Sequence, residues 1–480
     1  MSATPPQGSL YAGGRWTDGS GEALDVFDPS DGSVIASIPG ATAQDVDVAL
    51  AAAKEAQPAW RRLPAPERGA HLRSLADLIA AEREPLAGLL VQEVGKPLTQ
   101  ARGEVDFAEA LIRYSAEWDR RLEGEILPGD VPGEQIHLLR EPLGVVAAIC
   151  PWNFPLAVLC RKLGPALVTG NTVVAKPSEV TPLTTIEFVR LVDERLGLPA
   201  GVFGLVCGAG QTGSDLVSSP HTDLVSFTGH RDTGKKIMAR AAERLTRVSL
   251  ELGGKAPAVV AADADLDIAI PAILNARHNN AGQVCTSAER VFVAEQVVDE
   301  FTERYVAAAT GLRIGDPRGD VDMGPLVSTE QLDKTLAAVA GARAEGAEVV
   351  SGGKAPDGFD KGYWYEPTVL RGLTPEMTIL REETFGPVTP IVDVADLPSA
   401  MAMANDSRYG LSAYVFSRDY PTVMRTVDEL AFGEIYVNRT SGESLHAHHA
   451  GYKESGMGGE DGKWGMLRYT QIKTAYHHYG

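Results

Sequence analysis

The sequence predicts an α/β fold built around two successive parallel sheets. Short apolar, β-branched runs alternate with helical stretches, first over residues 145–252 and again over residues 258–416. Strands that alternate with helices are typical of parallel sheets with right-handed crossovers. The runs are continuously apolar, which indicates strands buried on both faces. The pattern restarts near Gly253 and Gly254, where we place a domain boundary.

The composition is that of a globular protein large enough for two or three domains. The chain has 480 residues, of which 44% are hydrophobic and 22% charged, with a formal net charge of −20. This acidic balance argues against nucleic acid or an anionic membrane as a partner, because no basic surface could dominate the field. No run of about 18 apolar residues predicts a membrane span, and the first ten residues do not resemble a signal peptide. We therefore expect a cytoplasmic protein.

Residues 42–121 have a helical pattern. Thr42 and Asp45 have the spacing of a capping box at the start of the first helix. Apolar residues then recur at helical spacing over 72–79 and 105–112, so each segment is expected to bury one face.

The first α/β series directs attention to four loops. Its predicted strands cover residues 145–150, 172–175, 202–207, 224–227 and 248–252. Its predicted helices cover residues 156–167, 183–196 and 233–242. Ligands of such sheets bind beyond the carboxyl ends of the strands. The loops that begin at Pro151, Lys176, Gly208 and Gly229 are therefore the predicted ligand loops.

A second series and two outlying strands complete the prediction. The second series has predicted helices over 297–310 and 329–345, and strands over 258–260, 290–294, 348–350, 389–394 and 413–416. Residues 135–140 and 469–476 have strand character outside both series. Unpaired edge strands promote aggregation unless something covers them, so we expect these two strands to be paired.

Cys285 is the cysteine whose surroundings indicate reactivity. Four cysteines without a CxxC pair predict neither a disulfide framework nor a zinc cluster. A single cysteine is more often buried and inert, but Cys285 follows Gly282 and Gln283 and precedes the polar Thr286. The thiolate of a cysteine in such a loop is a good nucleophile for a carbonyl carbon.

Two polar residues at strand ends could assist this nucleophile. Glu251 ends a buried strand, where burial should raise its pKa and suit it to general-base work; an ion pair with Lys255 is the alternative. Asn153 lies between Pro151 and Pro155, which restrict the loop, so its amide could donate to an oxyanion. Capping of the next helix is the alternative for Asn153.

Two further loops could bind a dinucleotide. Lys176, Ser178 and Glu179 end a strand where such sheets present groups to the adenosine ribose. Glu179 would accept from ribose hydroxyls and repel a 2′-phosphate, which favours NAD over NADP; a solvated Lys176–Glu179 pair is the alternative.

Gly229 begins a near match to a phosphate-binding loop, but Lys236 replaces the hydroxyl residue that binds magnesium. A nucleotide hydrolase is therefore disfavoured.

No metal site is predicted. The acidic segment 263–267 begins like a calcium loop, but Ile268 stands where a glycine is needed. The histidines within 446–449 lack a companion carboxylate or cysteine cluster in the sequence.

Six motifs together resemble the aldehyde dehydrogenase superfamily over essentially the whole chain. They occur in the family's order: Pro151-Trp152-Asn153-Phe154-Pro155, Lys176-Pro177-Ser178-Glu179, Phe227-Thr228-Gly229, Glu251-Leu252-Gly253-Gly254-Lys255, Gly282-Gln283-Val284-Cys285 and Glu383-Thr384-Phe385-Gly386-Pro387.

The resemblance implies NAD-dependent oxidation of a small-molecule aldehyde. Cys285 would attack the aldehyde, and Asn153 with the Cys285 backbone N–H would hold the oxyanion. Glu251 would then activate the water that hydrolyses the thioester. Lys162 and Glu460 match positions that relay protons from Glu251.

The resemblance also implies a set of cofactor-binding residues. Glu383 would bind the nicotinamide ribose with Phe385 beside it, and Gly208 and Gly210 would approach the adenine. His230 departs from the family, which has a small hydroxyl residue there. The full cofactor set is Trp152, Lys176, Ser178, Glu179, Gly208, Gly210, Phe227, Thr228, Gly229, Gly234, Leu252, Gly253, Glu383 and Phe385.

Within the family, the likeness is greatest to lactaldehyde and glycolaldehyde dehydrogenases. The segments 116–118, 123–126, 449–453 and 458–463 carry it. The resemblance implies a polar pocket for a small hydroxyaldehyde, or for an anionic semialdehyde paired with Arg161. Thr286 stands where the resemblance leads us to expect asparagine. The implied substrate residues are Phe154, Arg161, Gln283, Thr286, Glu443 and His449.

The family architecture implies three parts. A Rossmann-like cofactor domain would comprise residues 1–125 and 141–252, and an α/β catalytic domain residues 253–434. A small β oligomerisation element, with a substrate-tunnel loop, would comprise 126–140 and 435–480. This element would join subunits into a homodimer or homotetramer.

Overall fold

The structure, a computed structural model, describes residues 8–480 and confirms the α/β fold class. It contains sheets of eight, seven and three strands and two sheets of two strands. Among the described helices, none combines the length and apolar character that crossing a membrane requires. The first seven residues, which include most of the segment tested for a signal peptide, lie outside the described part.

Short strands and long helices precede the first predicted series. Residues 42 and 45 form the expected capping box, since the Thr42 N–H donates to Asp45 Oδ2 over 2.8 Å. The sequence did not indicate β1 to β4, because each strand has at most six residues and β2 to β4 are partly exposed. The elements are β1 (Leu10–Ala12), β2 (Arg15–Thr17), β3 (Ala23–Phe27), β4 (Val34–Pro39), α1 (Ala43–Arg62), α2 (Ala65–Ala81), α3 (Arg83–Val94), α4 (Leu98–Ala116), a 3-10 turn (Glu117–Arg120), β5 (Glu125–Pro128) and β6 (Glu134–Pro142).

The first α/β series forms five parallel strands in the order β9-β8-β7-β10-β11. The expectation of a wholly parallel sheet is wrong at the edges, where β1 and Gly456–Met457 add antiparallel strands from outside the series. The elements are β7 (Val145–Ile149), α5 (Pro155–Val168), β8 (Thr172–Lys176), α6 (Leu183–Leu196), β9 (Phe203–Val206), α7 (Gly210–Ser218), β10 (Leu224–Thr228), α8 (Arg231–Ala242) and β11 (Arg247–Glu251).

The second series forms the seven-stranded sheet, in the order β14-β15-β16-β13-β12-β18-β19. Its strands are parallel except for β14. The elements are β12 (Ala256–Val260), α9 (Leu266–His278), a 3-10 turn (Asn279–Gly282), β13 (Ala288–Ala294), α10 (Val298–Thr310), α11 (Thr329–Ala344), β14 (Glu348–Ser351), β15 (Thr368–Arg371), α12 (Thr378–Arg381), β16 (Val388–Val394), α13 (Leu397–Asn405), β17 (Tyr409–Gly410), β18 (Ser412–Phe416), α14 (Tyr420–Glu429) and β19 (Glu434–Val437).

The two outlying strands pair with each other. The last elements are β20 (Tyr452–Lys453), β21 (Gly456–Met457), α15 (Gly462–Arg468) and β22 (Thr470–His478). β22 lies antiparallel to β6, from Thr470 opposite Pro142 to His478 opposite Glu134, and β5 covers the other edge of β6. β22 and β5 are the outer strands of this sheet.

Two buried carboxylates from the amino-terminal helices cap helices of the first sheet. Glu104 accepts from the N–H groups of Leu156 and Ala157 at the start of α5. Glu93 does the same for the first two N–H groups of α6, over 2.7 and 2.9 Å. A carboxylate at a helix N-terminus satisfies free N–H groups and interacts favourably with the helix dipole. The start of α5, which follows the loop of Asn153, is thereby fixed in position.

Candidate active site

A cavity of about 750 Å³ lies where the carboxyl end of the first sheet faces the second. The loops after β7, β10 and β11 form one wall. The turn before β13, the loop 383–385 and the segment 441–449 form the others. A cavity of this size that combines apolar walls with a few convergent polar groups is typical of a small-molecule site.

The loop that carries Cys285 is held in a strained turn. Asn280, Ala281 and Gly282 all have left-handed backbone angles, with φ of 49°, 53° and 78°. Such angles are uncommon for residues other than glycine and cost about 1–3 kcal/mol each. A Cβ on Gly282 would lie 2.6 Å from the carbonyl oxygen of Gly386. The turn places Cys285, partly exposed, on the cavity wall.

Gln283 holds this loop and does not line the cavity. Its side chain is fully buried, donates to the Asn280 carbonyl and accepts from the Val327 N–H, both over 2.9 Å. The expectation that Gln283 contacts substrate is therefore corrected, because both ends of its amide are already bonded to the backbone. The glutamine fixes the position of the loop that ends at Cys285.

Asn153 faces the same loop from the first sheet. Its Nδ2 donates to the Gln283 carbonyl over 2.9 Å, and its own carbonyl accepts from Lys96 Nζ over 2.8 Å. A side-chain amide has two N–H donors, so one remains for a group in the cavity. The alternative of a helix cap does not apply, because Glu104 caps α5.

Glu251 is a buried carboxylate without a hydrogen-bond partner. It ends β11 and lines the cavity, and within residues 8–480 neither of its oxygens is hydrogen-bonded. Burial raises the pKa of Glu251 to about 8, the direction that the sequence predicts. The alternative pair with Lys255 is excluded, because Lys255 Nζ lies 2.6 Å from Glu289. Glu251 is thus free to exchange a proton with a molecule in the cavity.

Lys162 and Glu460 form a buried ion pair behind Glu251. Lys162 Nζ lies 2.5 Å from Glu460 Oε1 and donates to Thr228 Oγ1 over 2.8 Å. Although burial opposes ionisation, Lys162 lowers the pKa of Glu460. Lys162 lines no part of the cavity, whereas Glu460 does. The pair connects the interior of the first sheet to the cavity wall.

Glu383 lies beside the segment that links β11 to β12. Its Oε1 accepts from the Gly254 N–H over 2.8 Å, and burial raises its pKa to about 7. A Cβ on Gly253 would lie 2.6 Å from the Glu383 carboxylate, which explains the glycine. Trp152 and Phe385 meet edge to face beside it, with ring centroids 5.4 Å apart. The group combines a hydrogen-bond acceptor with aromatic surfaces, which suits a sugar and a planar ring.

Charged side chains crowd the other end of the cavity. Arg161 Nη2 lies 3.0 Å from Asp461 and 3.5 Å from Glu443. His449 Nδ1 lies 3.0 Å from Glu434 Oε1. Glu434, Glu443 and His449 also bring three possible metal-ligand atoms within 4.8 Å of one another. The arginine and the histidine already neutralise these carboxylates, so the cluster is explained without a metal.

The model of the aldehyde dehydrogenase family matches residues 16–475. The chain belongs to this family. Lactaldehyde dehydrogenase of Escherichia coli is 46% identical over 99% of both chains, and a crystal structure of that protein superimposes with a TM-score of 0.96, covering 99% of this chain and all of the other. The 3,6-anhydro-alpha-L-galactose dehydrogenase of a Vibrio species is 43% identical, over 97% of this chain and 98% of its own.

The structure of this aldehyde dehydrogenase brings most of the predicted site residues to one cavity. These are Trp152, Asn153, Phe154, Arg161, Thr228, Gly229, Glu251, Leu252, Gly253, Cys285, Thr286, Glu383, Phe385, Glu443, His449 and Glu460.

The remaining predicted cofactor residues lie off this cavity. Lys176 ends β8, Ser178 and Glu179 follow it, and Gly208 and Gly210 follow β9 at the same edge of the first sheet. Lys176 Nζ donates to the Pro177 carbonyl over 3.0 Å and lies 3.5 Å from Glu179.

Phe227 and Gly234 pack inside the aldehyde dehydrogenase fold. Phe227 is buried in β10. A Cβ on Gly234 would lie 2.5 Å from Leu252, so this glycine lets α8 approach the end of β11. The contact of Gly234 with cofactor stays a prediction. His230 caps α8, since its Nδ1 accepts from the Asp232 N–H over 3.2 Å.

Asn153 and Arg161, which both line the cavity, do not share a helix. α5 begins at Pro155, so Asn153 lies in the turn before it and only Arg161 is helical. Sequence reasoning missed Lys96, Glu104 and Glu434 altogether. Lys96 and Glu104 contact residues more than 50 positions away, and Glu434 contacts His449 15 positions away, and no local motif marks such contacts.

Proposed function

We propose that this aldehyde dehydrogenase oxidises a small hydroxylated aldehyde to its carboxylate, with NAD, through a thioester on Cys285. The observation that carries the proposal is the meeting of Cys285, the Asn153 amide and the unpartnered Glu251 carboxylate in one cavity. A nucleophile, an oxyanion donor and a base are the groups that acyl transfer to water requires.

Each of the three groups has one role. The Cys285 thiolate attacks the aldehyde carbon, and the oxyanion accepts hydrogen bonds from the free Asn153 N–H and the Cys285 backbone N–H. A bound nicotinamide would accept the hydride whose loss leaves the thioester. Glu251 then takes a proton from water, the water oxygen bonds to the acyl carbon, and Cys285 leaves as thiolate. The carboxylic acid product loses its proton to solvent.

The Lys162–Glu460 pair can relay the proton away from Glu251. Glu460 lines the cavity beside Glu251, and its charge helps to raise the pKa of Glu251. Lys162 Nζ, bonded to Glu460 and Thr228, can pass a proton along this chain of groups. Glu251 thereby returns to its basic form after each turnover.

The residues fit a dinucleotide at both ends. Glu383 keeps one carboxylate oxygen free for ribose hydroxyls, with Phe385 and Trp152 alongside. At the other end, Glu179 is partly exposed beside Lys176. Its negative charge would repel a 2′-phosphate, which supports NAD as the preferred cofactor.

The charges around Arg161 favour a neutral polar substrate. An anionic semialdehyde, the alternative within the family, needs an uncompensated cation in the pocket. Asp461 and Glu443 already surround Arg161 and offset its charge. Arg161, Glu443 and His449, which line the cavity, offer donors and acceptors to a hydroxyl next to the aldehyde. These contacts support a substrate such as lactaldehyde or glycolaldehyde.

Two other reaction types find less support. A nucleotide hydrolase would need a magnesium ligand at Lys236, and the His230 ring caps the helix that would bind phosphate. Release of the thioester to coenzyme A would need no base for water, yet Glu251 is present and unpartnered.

An aldehyde panel tests the proposal. Lactaldehyde, glycolaldehyde, succinic semialdehyde and hexanal would each be offered with NAD and with NADP, and reduced cofactor followed by absorbance. We expect the highest kcat/KM for a hydroxyaldehyde with NAD. Faster turnover of the semialdehyde would contradict the substrate class. No reduced cofactor from any aldehyde would contradict the activity.

A further inference from the structure

We propose that Glu289 is a positioning residue for the cofactor, because it holds the loop 383–385 and thereby places the Glu383 carboxylate for the nicotinamide ribose of a dinucleotide. The inference rests on the proposed function, since it takes a dinucleotide as the ligand of Glu383. It deepens that proposal by naming the residue that fixes the ribose acceptor. Glu289 is the second residue of β13 and does not itself line the cavity.

The Glu289 carboxylate accepts hydrogen bonds from two consecutive N–H groups of this loop. Its Oε2 accepts from the Thr384 N–H over 2.8 Å, and its Oε1 accepts from the Phe385 N–H over 2.7 Å. The Glu289 side chain is buried, and a hydrogen bond is electrostatically stronger in the interior than in water. The two N–H groups belong to the residues directly after Glu383. The carboxylate therefore fixes the backbone next to the ribose acceptor.

Two buried cations fix the Glu289 carboxylate in turn. Lys255 Nζ lies 2.6 Å from its Oε2, and Arg277 Nη1 lies 3.4 Å from its Oε1. Although burial opposes ionisation, Lys255 and Arg277 lower the pKa of Glu289 to about 2. An ionised carboxylate has only acceptors, so both of its oxygens can receive backbone N–H groups.

The backbone of Phe385 explains why the loop needs such a hold. Its φ is 56°, in the left-handed region, which is uncommon for a bulky residue. A strained conformation of this kind persists only where the surrounding structure imposes it. Gln331 Nε2 donates to the carbonyls of Thr384 and Phe385 over 3.1 and 2.8 Å. Gln331 thus holds the carbonyls of the turn, and Glu289 holds its N–H groups.

The position of the loop matters because Glu383 and Phe385 both line the cavity. Glu383 Oε1 accepts from the Gly254 N–H over 2.8 Å, which leaves the other oxygen for a ribose hydroxyl. The Phe385 ring meets that of Trp152 edge to face. A rotation of the backbone at 384–385 would displace both side chains. A ligand binds more tightly where such groups are already in place, because no ordering is needed on binding.

Positioning and simple charge repulsion predict opposite effects of removing Glu289. Burial and, after it, the charge of Glu289 raise the pKa of Glu383 to about 7. Removal of that charge would favour the ionised form of Glu383, the better acceptor for ribose hydroxyls. Charge alone therefore predicts equal or tighter binding of NAD. If Glu289 holds the loop, its removal should instead weaken the binding of NAD.

The experiment is a calorimetric titration of the full-length protein at pH 7 with NAD and with ADP, which lacks nicotinamide and its ribose. In Glu289→Gln, one acceptor oxygen is replaced by an NH2 group that faces a backbone N–H. We expect the Kd for NAD to rise about tenfold, the order of one lost hydrogen bond. The Kd for ADP should stay at the wild-type value. Hydrogen exchange followed by mass spectrometry should show faster exchange of the amides of Thr384 and Phe385.

Glu93→Gln is the matched control. It removes a buried carboxylate that also accepts from two consecutive backbone N–H groups, those of Leu183 and Thr184. Its ratio of NAD to ADP affinity and the exchange of residues 383–385 should equal those of the wild type. The same selective loss of NAD affinity in the control would overturn the proposal, because it would follow from the loss of any buried carboxylate.

A second variant covers the case in which Glu289→Gln does not fold. Glu289→Asp keeps the charge beside Lys255 and Arg277 but shortens the side chain, so a Kd for NAD between those of the wild type and Glu289→Gln is expected. A Kd for NAD equal to or below that of the wild type, in whichever of the two variants folds, overturns the proposal. A parallel rise in the Kd for ADP does so as well.

These measurements are independent of catalysis, since neither needs an aldehyde or hydride transfer. A protein that shows the expected binding and exchange but oxidises no aldehyde would refute the proposed function and leave this inference standing.

Discussion

The Asn153 side chain donates a 2.9 Å hydrogen bond to the carbonyl of Gln283, two residues before Cys285. This bond joins the loop after β7 to the loop that carries the nucleophile. The backbone of Asn153 is also held in place, because Lys96 Nζ donates to its carbonyl. The donor and the nucleophile are therefore positioned relative to each other before any substrate binds, which is what electrostatic stabilisation of an oxyanion requires.

Asn153→Ala should lower kcat by about 100- to 1,000-fold, because loss of one oxyanion donor has this effect in other acyl-transfer enzymes. The substrate KM should change little. Steady-state kinetics with the best aldehyde of the panel would measure both. Asn275→Ala, which removes another cavity-lining amide, is the control and should leave kcat within a few fold of the wild type. Equal losses in both variants would remove the oxyanion role.

Cys285→Ser should abolish aldehyde oxidation and leave NAD binding intact, because the predicted cofactor residues lie on other loops. Turnover and cofactor fluorescence titration would be measured on the same preparation. The control is Cys160→Ala, which removes a buried thiol of α5 and should retain activity. More than a small residual activity in Cys285→Ser would mean that the nucleophile is another residue.

Glu251→Gln should permit hydride transfer but stall hydrolysis of the thioester, so stopped flow should record a burst of NADH before a slow steady state. In the wild type, steady-state turnover should rise with pH through about 8, since only the ionised carboxylate is a base and its pKa is raised to that value. This rise should disappear in the variant. A variant without a burst would show that Glu251 acts before hydride transfer.

Arg161→Leu should lower kcat/KM for small hydroxylated aldehydes by about ten- to a hundredfold, the effect of one lost charge-assisted hydrogen bond. The kcat/KM for hexanal should fall little. The comparison needs Arg161→Lys as control, since it keeps a charge between Asp461 and Glu443. An equal fall for hexanal and the hydroxyaldehyde would mean that Arg161 only neutralises those carboxylates.

The chain should form a dimer or a tetramer through the sheet of β22, β6 and β5. The outer strands expose Ile126, Ile472 and Tyr476, and an exposed edge with apolar side chains is a site for pairing with another chain. Sedimentation at micromolar concentration would report the size. Ile472→Lys should shift the protein towards monomer, whereas Gln471→Lys on the opposite face of β22 should not. A wild type of monomer size would refute the prediction.

Sequence alone predicts the parts that depend on local pattern. The five parallel strands of the first sheet, the capping box at Thr42 and the raised pKa of Glu251 each follow from a few neighbouring residues. Cys285, Asn153 and Glu251 could be singled out because each stands at the end of a strand or in a polar turn. The structure then places all three in one cavity.

The rest depends on contacts that local pattern does not encode. Glu434 reaches His449 from a strand of the second sheet, and Asp461 reaches Arg161 from a segment near the end of the chain. Gln283 sits in a motif next to the nucleophile, yet packing turns its side chain into the interior. Tertiary packing, and not a local pattern, decides such cases.

The pairing of Lys162 with Glu460 has a consequence for synthesis of the protein. The two residues are 298 positions apart, and the short strand Gly456–Met457 that flanks β11 is made equally late. Chains fold from the amino terminus as they leave the ribosome, so the first sheet can form while these last segments are still missing. A chain terminated between β13 and β19 would contain Cys285 but lack His449 and Glu460. The cavity is therefore completed only after the segments that carry Glu443, His449 and Glu460 have been synthesised.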